Sequence, residues 1–135
     1  AAASQPSVAP ASDTSNGEEN VVEQIVVEGA GVSEVNGTYK RCQPSYHDFP
    51  FSLDKNVPVY SKSGSWKGNA AKFSIYRQLG YWWVTCGDQD SAGACCSTST
   101  MRSLYGNSRS DTNLPPKNDW YVLTEGSIPS PQLKW

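Results

Sequence analysis

The chain has 135 residues, 37% of them hydrophobic, and a formal net charge of -2, which leaves room for one domain around one core. Its 11 Lys and Arg are scattered along the chain, so nothing gathers the positive charge that a nucleic-acid binder needs to neutralise phosphates. Apolar runs are short, Ile25–Val27 being broken by Glu28, which excludes a membrane-spanning helix of about 18 or more apolar residues and predicts a soluble or peripheral protein.

Residues 1–20 are Ala, Ser, Pro, Asp, Glu, Gly, Asn and their like, with a single Val. That composition cannot bury enough apolar surface to offset ordering entropy and predicts a flexible or extended tail. The tail reads either as a strap that orders on a partner or as a solvated leader. Its Ala-rich start suits a mature form left after removal of a targeting peptide, or equally a trimmed chain.

A single β-rich domain is expected over residues 21–135. Val21–Glu28 is rich in β-branched residues and runs into Gly29-Ala30-Gly31, a strand followed by a break. Asn36-Gly37 before Thr38–Arg41 signals a turn into a second strand. Further short strands are predicted at Val57–Ser61, Ala71–Gln78, Tyr81–Cys86 and Trp120–Thr124, with loops at Asn107–Asn113 and Pro115-Pro116. The end, Ile128–Leu133, should be extended because its two prolines remove donors. The fold class is therefore mainly β: a small antiparallel meander, open or barrel-like, with long loops.

The most informative pair is Ala71–Gln78 with Tyr81–Cys86, joined by Gln78-Leu79-Gly80. Period-two alternation puts Phe73 and Ile75 on one face, with Lys72, Ser74 and Tyr76 on the other. It likewise separates Trp82, Val84 and Cys86 from Tyr81, Trp83 and Thr85. Both faces carry large aromatics, so the sheet is either covered on both sides or offers a binding platform. Tyr76, Tyr81, Trp83 and Trp66 are the candidate platform residues. With five Trp in the chain, a sugar-stacking surface is one reading and a Trp-built core is the other.

Four cysteines can staple a small helix-poor domain. Cys95 and Cys96 are adjacent and bridge each other only with strain, so the pairings open are Cys42 with one and Cys86 with the other. A zinc site would need adjacent Cys ligands or His47, without any Cys-x-x-Cys spacing, and reduced buried thiols are the remaining reading. Disulfides would imply an oxidising compartment. Asp88–Gly93 opens like an EF-hand loop, but Ala92 and Ser99 stand where ligands are required, so a solvated turn is the expectation and no metal is assigned. His47-Asp48 has no companions, and no nucleophile elbow, phosphate loop or metalloprotease motif occurs, so neither catalysis nor a cofactor is expected. Asn36-Gly37-Thr38 is both a glycosylation acceptor and a turn, and the turn is the preferred reading.

Taken in order, Val27–Gly31, Asn36–Tyr39, Pro58–Tyr60, Phe73–Arg77, Trp82–Val84, Leu104-Tyr105, Pro115-Pro116, Trp120 and Pro129–Leu133 resemble a small aromatic β-module. That module recurs, often as a repeat beside unrelated domains, in proteins of algae with secondary plastids and related protists. The likeness runs from about Ile25 to Trp135, and its motifs are individually short. It implies a binding or spacer role by analogy, with no catalytic residue to carry over. Standing alone and carrying four cysteines, this chain departs from the module, which suggests an oxidising compartment and a dedicated partner. The expectation that follows is a non-catalytic accessory or structural subunit, peripheral, docked on a larger and membrane-embedded complex. The most specific form of it is a lumenal subunit of an algal photosystem in the plastid thylakoid. The alternative is a secreted carbohydrate-binding module with a glycan partner.

Overall fold

The computed structural model describes residues 22–42, 53–54, 57–88 and 102–135. Its eight strands are β1 (Gln24–Glu28), β2 (Gly37–Cys42), β3 (Val59–Trp66), β4 (Asn69–Gln78), β5 (Tyr81–Asp88), β6 (Arg102–Arg109), β7 (Tyr121–Val122) and β8 (Gln132–Lys134). They form one antiparallel sheet in the order β7-β6-β5-β4-β3-β2-β1-β8, curled into an open half-barrel. The meander expected from the sequence is thus the observed architecture, with β8 added beside β1 by the extended C-terminal segment.

Two tight hairpins set the register of the central strands. Trp66 pairs with Asn69 across Lys67-Gly68, and Gln78 pairs with Tyr81 across Leu79-Gly80. All four turn residues have positive φ, 50° and 86° in the first turn and 54° and 85° in the second. That is the primed two-residue turn, whose twist matches the strands it joins. Gln78 ends β4, as the predicted strand Ala71–Gln78 has it, and the turn closes on Leu79-Gly80 alone.

A single 3₁₀ turn, Ser33–Val35, links β1 to β2 and buries Val35. Asn36 locks it: its carboxamide accepts the Ala30 N–H at 2.9 Å and donates back to the Ala30 carbonyl at 3.3 Å. The side chain that a glycosylation acceptor would present is therefore engaged in the turn. Gly31 lies so close to Ile128 that a Cβ there would overlap the Ile128 carbonyl, and its N–H donates to Pro129 O at 2.8 Å.

Inside the curl, alternate residues of every long strand meet in one core that includes Ile25, Val27, Tyr39, Tyr60, Phe73, Ile75, Trp82, Val84 and Leu104. Buried phenols find acceptors, as burial demands. Tyr39 donates to Val35 O and Tyr60 to Val22 O, both at 2.7 Å. Burial raises the pKa of both phenols, that of Tyr39 well above its ordinary value, so they remain neutral donors. Tyr105 reaches from β6 to donate to Ser127 O at 2.7 Å and accept the Val32 N–H at 3.2 Å, tying opposite parts of the curl together. Where the sheet stays open, the segment before β7 closes over the core. Trp120 is buried there with its indole N–H on Pro116 O at 2.9 Å, and Lys117 O takes the Leu133 N–H at 2.8 Å.

β6 has no counterpart among the predicted strands, and Asn107, expected in a loop, belongs to it. Its Gly106-Asn107-Ser108 stretch carries turn chemistry, but tertiary pairing overrides that preference. The strand is irregular where the sequence is weak. Val84 pairs with Tyr105 and Thr85 with Ser103, leaving Leu104 as an extra residue, a bulge that lets both Leu104 and Tyr105 enter the core.

The cysteine expectation is corrected at one position. Cys86 is a thiol fully buried in the core, cross-strand from Phe73, and not half of a disulfide. The alternation that buries Trp82 and Val84 also aims Cys86 inward. Cys42 lies on the other face, with its sulfur 3.5 Å from both Val59 O and Ser61 Oγ. Cys95 and Cys96 lie outside the described residues, as do His47-Asp48 and the loop that follows Asp88.

Candidate functional site: an outer aromatic strip

The faces of β4 and β5 divide as alternation predicts. Trp82, Val84 and Cys86 are in the inner core, while Tyr81 and Trp83 face outward. On the outer face, register aligns one row of residues across six strands, β2 to β7. Cys42 pairs with Val59, Tyr76 with Trp83, Trp83 with Gly106, and Gly106 with Tyr121. Val59 and Tyr76 join the two halves of the row, packing together in a small outer cluster with Cys42, Leu53 and Trp83.

Gly106 shapes the middle of this row. A Cβ at that position would sit 3.1 Å from the Tyr121 ring and 3.2 Å from Leu123. The absent side chain is what lets Tyr121 lie across β6, with its hydroxyl on Asn107 O at 3.3 Å. One ring face is thus held against the backbone, and 45% of the residue is left exposed. Two residues before Trp83, Tyr81 is 39% exposed and pairs with Arg109. Tyr81, Trp83 and Tyr121 form an outer strip over β5, β6 and β7, ending at the Leu79-Gly80 turn.

The four candidate platform residues therefore separate. Tyr81 and Trp83 belong to the strip. Tyr76 borders it but is only 3% exposed, so it supports the surface from below. Trp66 is corrected from platform to core: it is 8% exposed at the far end of β3, flanked by Lys67 Nζ at 5.5 Å and the Arg102 guanidinium at 5.7 Å from its ring centre. Tyr121 is not among the candidate platform residues, although alternation within the predicted Trp120–Thr124 strand puts it opposite the core-bound Trp120. The Trp83 indole N–H is itself covered, with no acceptor among the described residues, so Trp83 offers ring surface rather than a hydrogen bond.

A polar hub makes the turn end of the strip rigid. Asp54 accepts the backbone N–H of Leu79 at 2.9 Å and of Gly80 at 2.8 Å, and receives Arg77 Nε at 2.7 Å. Arg77 continues to the carbonyls of Ser110 and Thr112, at 3.2 and 2.7 Å, and Ser110 N–H returns to Gly80 O at 2.8 Å. Partial burial raises the Asp54 pKa, but hydrogen bonds from Gly80, Arg77 and Leu79 with the nearby Arg77 charge outweigh it and hold the carboxyl below its ordinary value.

On the inner face Lys62 is an ionisable group packed against aromatic rings. Lys62 Nζ lies 4.8 Å from the centre of the Phe73 ring and 6.0 Å from that of Tyr39, with burial lowering its pKa. This is a long side chain packing its stem along aromatic surface. Among the described residues, no group of three or more His, Cys, Asp or Glu could hold a metal ion, and no helix is long and apolar enough to cross a membrane.

Comparison with protein-family models, curated proteins and solved structures returned no match for this chain. The geometry of the strip carries the functional argument.

Proposed function

We propose that the chain is a non-catalytic interaction module that docks on a larger protein assembly through the outer strip of Tyr81, Trp83 and Tyr121. The observation that carries this reading is the alignment of these aromatics on one outer face, while Trp66, Trp82, Trp120, Tyr39, Tyr60, Phe73 and Tyr105 are buried. Exposed Tyr and partly covered Trp on a rigid sheet lose little side-chain entropy on binding and supply large contact area, the properties of interface anchors. On the resemblance described above, the assembly is a photosynthetic membrane complex. The chain would be its peripheral subunit in the thylakoid lumen, with a Cys42 disulfide to Cys95 or Cys96 suited to that compartment.

Native electrophoresis of extracts from the source cells tests this directly. The chain should migrate with a large complex, and Tyr121→Ala with Trp83→Ala should release it as a monomer. A wild-type chain found only as a free monomer would defeat the reading. Soluble glycans that quench tryptophan fluorescence in the wild type and not in Trp83→Ala would replace it with a carbohydrate-binding role. The covered Trp83 N–H favours the protein partner, because sugar recognition draws on hydrogen bonds as well as stacking.

A further inference from the structure

The two primed hairpins have the same backbone and different residues at their first turn position. Both Lys67 and Leu79 hold left-handed φ values, 50° and 54°, where L side chains are crowded and Gly, Asn or Asp are favoured. Lys67 recovers something for that conformation, because its ammonium stays in water and lies 5.5 Å from the centre of the Trp66 ring. The Leu79 backbone N–H is held by Asp54, but its side chain gains no such contact among the described residues. It is 72% exposed, an apolar side chain held in a costly conformation with no core to enter.

The backbone beneath Leu79 is also the more firmly held. Asp54 takes both turn N–H groups, Arg77 fixes Asp54, and Ser110 clamps Gly80. Arg109 lies against the turn: a Cβ on Gly80 would sit 3.0 Å from its Cγ and 3.2 Å from its Nε. Among the described residues no carboxylate forms an ion pair with Arg109. The tip thus presents a Leu, the Tyr81 ring and an unpaired guanidinium side by side, on a frame that cannot collapse around them.

A left-handed residue whose exposed apolar side chain has no contact among the described residues points to an external one. We infer that the Leu79 turn is the anchor of the docking surface, inserting Leu79 into an apolar pocket of the partner protein whose rim carries carboxylates for Arg109. This rests on the docking role proposed above and adds the point of insertion and the chemistry of the pocket. Apolar insertion supplies the contact, and the cation sets approach and orientation.

The experiment compares Leu79→Asn, Lys67→Asn and Arg109→Glu in the full chain, by thermal melting of the purified protein and by native electrophoresis after expression in the source cells. Asn tolerates the left-handed region, so Leu79→Asn should melt a few degrees higher than wild type and yet lose roughly tenfold or more of its complex-bound fraction. Lys67→Asn should stay bound like wild type. Arg109→Glu should melt near wild type and lose binding, because it sets like charge against the pocket rim. A Leu79→Asn chain that remains in the complex at wild-type levels overturns the anchor while leaving the docking role intact. So does one that melts no higher than wild type, since the strain would then have an internal return. If the wild-type chain is itself never complex-bound, the docking role falls and the anchor with it.

Discussion

Trp82 and Trp83 are consecutive on β5 and point to opposite faces of the same sheet. Trp82 is fully enclosed by the curl, among residues from several strands. Trp83 is half-buried in one row between Tyr76 and the Gly106–Tyr121 pair. Curling gives the inner face a closed volume that must be filled to crystal-like density, and large side chains are the economical filler in a chain with few Leu and Met. The outer face has no such volume. Tyr81, Trp83 and Tyr121 lie along that surface, so their burial is partial and their removal leaves the inner core intact. One strand thus carries a residue that specifies the fold and a neighbour that is free to serve recognition.

The sharpest test of that division is to truncate each Trp in turn. Trp82→Ala should cost about 3–5 kcal/mol in urea unfolding, the range for a large buried aromatic. Trp83→Ala should cost about 1 kcal/mol, in proportion to its partial burial. Equal losses would mean that the outer row is a second core rather than a surface.

The hub at the turn end comes next. Asp54→Asn removes a charged acceptor from three hydrogen bonds, and about 2 kcal/mol of stability should go with it. The folded-state pKa of Asp54 lies below its ordinary value near 3.8. Its stabilisation is therefore fully present above that value and is lost as pH falls through the folded pKa. Stability measured between pH 5 and pH 2 should fall less steeply in Asp54→Asn than in wild type, and an unchanged slope would remove the hub from the account.

The smallest effect is expected inside the curl. Lys62 has its pKa lowered by burial, so its charge costs stability below the folded pKa and that cost disappears as pH rises toward the ordinary value of 10.5. Lys62→Met keeps the stem and discards the charge. It should leave stability within about 0.5 kcal/mol at neutral pH, because the ring contacts offset part of the desolvation. A large loss would assign the ammonium a partner other than the Phe73 and Tyr39 rings.

What the sequence disclosed follows the same division. Alternation alone sorted Phe73, Ile75, Trp82 and Val84 from Tyr76, Tyr81 and Trp83, because side-chain direction in a strand depends only on position. It could not tell that Trp66 turns into the core, since that depends on how far the sheet curls. β6 was hidden because Gly106, Asn107 and Ser108 have turn chemistry, and only their partners on β5 and β7 make them a strand. Four cysteines in a small helix-poor domain suggest that Cys86 is a staple, whereas its parity with Trp82 and Val84 places it inward. The importance of Gly106 became visible only once Tyr121 was seen lying across it. Leu79 is an ordinary loop residue by sequence, and only its φ angle together with its exposure sets it apart.

Oxidative footprinting of tyrosine and tryptophan, on the isolated chain and on the chain within its native complex, tests the docking surface most directly. The account predicts that Tyr81 and Tyr121 are readily modified in the isolated chain and protected in the complex, while Tyr39 and Trp82 resist modification in both. Equal modification of Tyr81 and Tyr121 in the two states would contradict it.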